Sequence, residues 1–244
     1  VAYGYLITAP AAKGKVTGID TDAARALPDV LDIIVDDPRI PRQAAAFGPA
    51  HTGNDEIDHW DQVVGVAVAT SFEAARAAAK AVRVHVAIEP GHFDTMADID
   101  KASGPPKDSR LQDIAKGDID AAMAQAAVTI DQIYTTPNHV HAAMEPHASV
   151  AIWDGDSLTL HSSLQILKVA RPVLAKSLGV ADDKVRILSP YIGGGFGGKM
   201  LGPDAVLAAI AAQKLGRPVK IAMARRQLFH NVYRRTDTNQ RIRL

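Results

Sequence analysis

The run Tyr191-Ile192-Gly193-Gly194-Gly195-Phe196-Gly197-Gly198-Lys199-Met200 holds the densest chemical signal in the chain. Five of its residues are glycine, with one aromatic among them. Glycine lets a backbone reach φ > 0 and lets N–H groups come close to a ligand. Pro203 to Leu215 reads as a helix, so the loop is expected to feed a helix N-terminus. Free N–H groups and the positive end of the helix dipole together hold anions. The expected ligand therefore carries phosphate or oxyanion groups. Three readings stay open at this point. Gly193 to Lys199 fits G-x-x-x-x-G-K, but Met200 stands where a phosphate loop needs a hydroxyl to hold Mg²⁺. Gly193, Gly195 and Gly198 fit G-x-G-x-x-G, without a clear acidic residue closing a second strand about 20 residues on. The third reading is a tight strand-to-helix turn that binds nothing.

Other constellations lie nearby in sequence. His139, His141, Glu145 and His147 crowd into nine residues, and zinc accepts such donors. Their spacing is not a helical i, i+4 pair, and Pro146 breaks the segment. They also read as a polar strand-to-loop segment beside a cofactor, and no side chain is assigned as a metal ligand. Gln165 follows Ser162-Ser163-Leu164 at a strand end, just before a helix. Its amide N–H could orient an oxo or hydroxyl group, or it could cap the helix. From Arg225 to Leu244 there are six arginines and one acid, Asp237. Few aromatics interleave with them, so a nucleic-acid surface is not expected. Arg234-Arg235 could clamp a carboxylate or a cofactor oxygen, or lie as solvated charge.

The elements that must position these residues follow from periodicity and turn signals. Tyr5-Leu6-Ile7 and Val16 to Ile19 read as strands. Thr21 to Leu27 reads as a helix capped by Asp20, and Val30 to Val35 as a buried strand. Residues 38–61 read as a surface loop whose acids, Asp55, Glu56, Asp58 and Asp61, are solvated. Val63 to Ala69 is a buried strand, Phe72 to Ala81 a helix capped by Ser71, and Val82 to Ile88 a strand. Met96 to Lys116 reads as an extended linker. Ile119 to Ala126 is a helix and Val128 to Thr135 a strand. Strands at 149–153 and 157–162 flank the turn Asp154-Gly155-Asp156. Leu167 to Leu178 is an amphipathic helix closed by Gly179, followed by a strand over 184–188. After the glycine run come the helix 203–215, a strand over 218–223 and a strand-like end at 240–244.

Composition limits what such a chain can do. Hydrophobic residues make up 47% of its 244 residues and aromatics only 5%, so the helices are alanine-rich and suited to close packing on a sheet. The net charge is zero, which gives no general pull toward nucleic acid or a membrane surface. Cysteine is absent, which excludes disulfides, iron–sulfur ligation and a thiol nucleophile. There is no apolar run of about 18 residues to span a bilayer. Both ends read as strands cut short, which leads us to expect a piece of a longer chain.

Taken in order, Met144-Glu145-Pro146-His147-Ala148, Trp153-Asp154-Gly155, Gln165 and Gly193 to Lys199 resemble one family. It is the molybdenum-cofactor-binding subunit of the xanthine oxidase and aldehyde oxidoreductase family. The resemblance implies an α+β fold, with an α/β-hammerhead domain at residues 1–94 and a linker at 95–127. Residues 128–244 would be the truncated first part of a mixed α/β molybdopterin-binding domain. Ala2-Tyr3-Gly4-Tyr5, Ile19 to Ala24 and Ser189 to Gly193 are similar to the bacterial periplasmic, three-subunit aldehyde oxidoreductases. An apolar Met200 after the lysine is also similar to them, where the purine-oxidising branch carries an acid.

The resemblance further implies roles for particular residues. Gln165 would hydrogen-bond an oxo ligand of molybdenum. Phe196 would lie near the substrate and the Gly197 N–H near a molybdenum ligand, with Gly194 and Gly195 in the same cofactor-binding loop. Arg235 aligns with an active-site arginine, although Arg234 and Thr236 replace the family's His and Pro beside it. The implied cofactor is molybdopterin cytosine dinucleotide with Mo, and Fe–S and FAD centres would lie in partner subunits. The implied reaction is hydroxylation of an aldehyde with water as oxygen source, its general base a glutamate outside this chain. The remainder of the large subunit would complete the site. The implied compartment is the periplasm, with the cytoplasm as the alternative. An N-heterocycle substrate, or a non-catalytic scaffold or assembly module of the same fold, are the rival readings.

Overall fold

The computed structural model describes residues 1–41, 52–107 and 112–244. The tip of the expected 38–61 loop and part of the expected linker lie outside those residues. In chain order the first half contains β1 (Ala2–Thr8), β2 (Gly14–Asp20), α1 (Asp22–Arg25), β3 (Val30–Ile34), β4 (Glu56–Ile57), β5 (Val63–Ala69), α2 (Phe72–Ala81) and β6 (Arg83–Ile88). Next come α3 (Ile119–Gln125), β7 (Asp131–Thr136), β8 (His139–Val140), β9 (Ala148–Asp154) and β10 (Ser157–Ser162). The rest is α4 (Leu167–Leu178), β11 (Val185–Leu188), α5 (Pro203–Leu215), β12 (Val219–Ala222), α6 (Arg225–His230), β13 (Arg234–Arg235) and β14 (Thr238–Arg243).

Two compact units result: residues 1–91 with 140–234, and residues 92–139 with 235–244. The first is built on a seven-stranded mixed sheet in the order β11-β10-β9-β12-β1-β5-β3. β1 pairs in parallel with β12, Ala2 opposite Val219. Strands from both sides of the 95–127 segment thus share one sheet. A second, three-stranded sheet runs β4-β2-β6. In the second unit β7 and β14 form an antiparallel ribbon with Asp131 opposite Arg243.

The reasons for these elements are local and then tertiary. All seven residues of β5 are buried, as its run of Val, Ala and Gly65 without a polar residue requires for a strand covered on both faces. Ser71 caps α2, its Oγ accepting the Ala74 N–H at 3.2 Å. Gly179, at φ 72°, closes α4 in the left-handed conformation. α5 is buried on every side from Pro203 to Ala212. Its alanines let it pack against β9, β10 and β12, and Trp153 Nε1 donates to its Ala209 carbonyl at 2.9 Å. The other face of the large sheet packs on α2 and on Val16, Ile19, Val84 and Val86 of the smaller sheet.

Some expectations need correcting. α1 is shorter than Thr21 to Leu27, and the Asp20 carboxylate accepts from Asp22 N–H just outside it. Asp61 is not solvated: it is 2% exposed, accepts from Thr8 Oγ1 at 2.6 Å and pairs with Arg226 at 3.1 Å. The arginine-rich tail begins with a helix, α6, which the sequence reading missed. Its Gln227 and the following Asn231 are buried, and they bond Leu6 O, Val63 N and Asp61 O. No helix among the described residues is long and apolar enough to cross a membrane.

Candidate functional site

The glycine run lies in the first unit between β11 and α5, and three of its own neighbours press into it. Glu145, just before β9, lies against Gly193, where a Cβ would come within 2.6 Å of the Glu145 Cβ. Gln165, between β10 and α4, lies against Gly195, where a Cβ would meet its Oε1 at 2.5 Å. The ring of His141 fills the space beside Gly198 at 2.9 Å. At Gly193 and Gly195, glycine is required because side chains of this same chain occupy the space a Cβ would need.

Hydrogen bonds hold four of the loop's N–H groups. Glu145 Oε2 accepts from Gly193 N–H at 2.7 Å, from Ser163 Oγ at 2.7 Å, and from the Lys199 ammonium. Gln165 Oε1 accepts from Gly197 N–H at 3.1 Å and Lys199 N–H at 3.3 Å. Gly198 N–H donates to Gly195 O at 2.7 Å, and buried His147 Nε2 donates to Gly198 O at 3.0 Å. Lys199 is fully buried while the Glu145 side chain is 40% exposed. The Lys199 ammonium beside it, then the Ser163 hydroxyl and the Gly193 N–H, hold the Glu145 carboxyl down to about 2, against the opposing effect of burial.

This geometry corrects the phosphate readings. The lysine of G-x-x-x-x-G-K turns inward to a carboxylate. The N-terminus of α5 already holds an acidic side chain of its own: Asp204, in its first turn and 1% exposed, accepts from Ser149 Oγ at 2.6 Å. An anion cradle at the helix start is therefore not what the glycines build. Met200, in place of Ser or Thr, was the sequence signal that the lysine serves another purpose.

Gln165 does not cap α4. The N-cap position is Ile166, with no side-chain cap bond and a left-handed backbone at φ 51° and ψ 57°. A β-branched residue there is strained by about 1–3 kcal/mol. Because Oε1 faces two backbone N–H groups, the amide orientation is set, and Nε2 must carry both donors. Nε2 makes no hydrogen bond among the described residues. Phe196 also has a left-handed backbone, φ 53°, and is 64% exposed. Met144 and Tyr191 are exposed as well, and Arg225 pins the Ala143 and Met144 carbonyls at 2.5 and 2.7 Å.

The sequence candidates thus separate. Gln165, Gly194, Gly195, Phe196 and Gly197 share one site in the first unit. The Gly197 N–H donates to Gln165 Oε1. Arg234 and Arg235 are both exposed, and the unit boundary falls between them. Of the histidine cluster, His141 and His147 support the glycine run, and no three metal-binding side chains converge among the described residues. Ser163, Lys199 and the Glu145 carboxylate are the site residues that spacing did not reveal, since Glu145 and Lys199 are 54 positions apart.

The donor set suits an oxygen-rich cofactor: one fixed amide NH₂, and the N–H groups of Gly194 and Gly195, which have no partner among the described residues. Comparison with known proteins agrees. Residues 1–90 match the family model for the aldehyde oxidase and xanthine dehydrogenase a/b hammerhead domain. Residues 103–244 match that for the molybdopterin cofactor-binding domain. The chain is 44% identical, over its whole length, to the aldehyde oxidoreductase molybdenum-binding subunit PaoC of Escherichia coli O157:H7. It spans about a third of the length of such curated relatives, 33% in that case. Its fold matches CO dehydrogenase from Oligotropha carboxidovorans with TM-score 0.84, at 23% identity, over 99% of this chain and 34% of that one. It matches aldehyde oxidoreductase from Desulfovibrio gigas with TM-score 0.81, at 20% identity, over 100% and 29%. A hammerhead segment, a molybdopterin-binding segment and a glycine run holding one glutamine amide place this chain among the molybdenum-cofactor-binding subunits of the xanthine oxidase and aldehyde oxidoreductase family.

Proposed function

We propose that this chain is part of a molybdenum hydroxylase that oxidises aldehydes to carboxylic acids with water as the oxygen source. The observation that carries the reading is the Gln165 amide, held by its oxygen so that Nε2 alone is left to donate. Molybdopterin cytosine dinucleotide, the cofactor form proposed here, would supply a metal that accepts two electrons from the substrate. Gln165 Nε2 would donate to an oxygen of that group, and the Gly194 and Gly195 N–H groups would contact it. The exposed Phe196 ring would flank the apolar part of the substrate. Met200 offers no charge to a purine ring, which favours aldehydes over N-heterocycles. Arg235 is retained as a proposed active-site residue.

Electrons would leave through Fe–S and FAD subunits, in keeping with a chain that has no cysteine. The general base and the remaining cofactor contacts would come from the rest of the large subunit. The modules proposed are 1–94, a linker at 95–127 and 128–244, and the compartment proposed, on sequence resemblance alone, is the periplasm. The test is to give the purified full-length complex an aldehyde in ¹⁸O-labelled water. One ¹⁸O atom beyond the exchange control in the carboxylic acid is expected. No oxidation by a complex that carries molybdenum would overturn the aldehyde assignment.

A further inference from the structure

Lys199 is bonded at both ends. Its side chain, fully buried, reaches the Glu145 carboxylate. Its backbone meets Gln165 twice: Lys199 O accepts the Gln165 N–H at 2.8 Å, and Lys199 N–H donates to Gln165 Oε1 at 3.3 Å. The carboxylate it reaches also holds Gly193 and Ser163. One oxygen of Glu145 thus ties together the start of the glycine run, its end, and the segment that carries Gln165. A buried ammonium without a carboxylate is costly, so the pair has one strongly preferred arrangement.

We propose that the Glu145–Lys199 pair is a latch that sets the Gln165 amide before the cofactor arrives, making both of them positioning residues. The proposal rests on the reading of Gln165 as the residue that faces the cofactor. A pair that only stabilised the fold would leave the loop and the core tied to one stability. A latch, once broken, leaves the loop loosened even where the stability of the core is restored. The strained backbones of Ile166 and Phe196, on either side of the amide, need such external restraint.

The test uses the full-length large subunit with its partner subunits, prepared both with cofactor and from a host unable to make molybdopterin. Lys199→Met, Glu145→Gln and the double variant Glu145→Leu/Lys199→Met are compared with wild type. Hydrogen exchange is read for the peptides covering 190–201 and 63–69, together with melting temperature and molybdenum content. In the cofactor-free protein each single variant is expected to speed exchange over 193–199 on the order of tenfold, with 63–69 changing only as far as the melting temperature falls. The double variant, with an apolar pair in place of the ions, is expected to regain melting temperature without regaining loop protection. Molybdenum content in the loaded preparations should follow loop protection. Unchanged loop exchange, or a double variant that regains loop protection together with its melting temperature, would overturn the latch, as would full molybdenum content in a variant with a loosened loop. Wild type without molybdenum would defeat the functional reading instead, and the cofactor-free exchange would still decide the latch.

Discussion

Two glycine turns of this protein solve different problems. At Gly155, between β9 and β10, the backbone has φ 58°, and nothing lies within 4 Å of where a Cβ would be. That glycine serves conformation alone: it reverses a hairpin whose Asp154 and Ser157 stand opposite each other. At Gly193 and Gly195 the φ values are ordinary, but the Glu145 and Gln165 side chains occupy the Cβ positions. Those glycines serve approach. A glycine-rich run therefore need not mark where a ligand comes close. Here it marks where the protein's own carboxylate and amide come close, and the ligand is met by what that packing leaves over.

Substitutions at the two turns should have different consequences. Glu145→Ala should have the largest effect. It strands a buried ammonium and should cost about 3 kcal/mol by chemical denaturation, the low end for a buried pair because Glu145 is 40% exposed. Gly195→Ala should cost about 1–3 kcal/mol by overpacking against Gln165 and should lower molybdenum content in the full-length enzyme. Ile166→Gly should release strain of about 1 kcal/mol yet lower molybdenum content, since the amide loses its stiff neighbour. Gly155→Ala should cost only about 1 kcal/mol and leave molybdenum content at the wild-type level. Equal losses of molybdenum from Gly155→Ala and Gly195→Ala would erase the distinction between the two turns.

A pH titration sharpens the same point. Glu145 is held at about 2, below an ordinary carboxylate near 4.5, so the unfolded chain binds the extra proton. The pair's contribution is complete above about 4.5 and is lost as pH falls toward 2. Wild type should lose stability through that window more steeply than Glu145→Gln, as measured by denaturation midpoints at each pH. Parallel profiles for the two would contradict the assignment of this carboxylate.

The sequence was most readable where the deciding forces are local. The run of β5, the Ser71 cap, the Gly179 stop and the hairpin at Gly155 are written in adjacent residues, and the structure has all four. Gln165 and the glycine run were identified from their types and from family resemblance. What the sequence did not reveal is what distant residues do to one another. Asp61 reads as a surface acid until Thr8 and Arg226 bury it, and Lys199, which fits a phosphate loop in spacing but not in the residue after it, gains its partner only when Glu145 is brought beside it. α6 and the Asn231 that closes it turn polar side chains inward, to partners over 160 positions away for Asn231 and over 200 for Gln227, which no periodicity displays.

On this reading the glycine run exists to present the Gln165 amide to a molybdenum cofactor. The most direct measurement is the molybdenum and molybdopterin content of the full-length subunit, in wild type and in Gln165→Leu, both purified with their partners. About one molybdenum per wild-type subunit is expected, and a clear loss in a Gln165→Leu protein whose melting temperature stays within a few degrees of wild type. A folded Gln165→Leu subunit that carries the wild-type amount of cofactor, with an unchanged molybdenum spectrum, would contradict it.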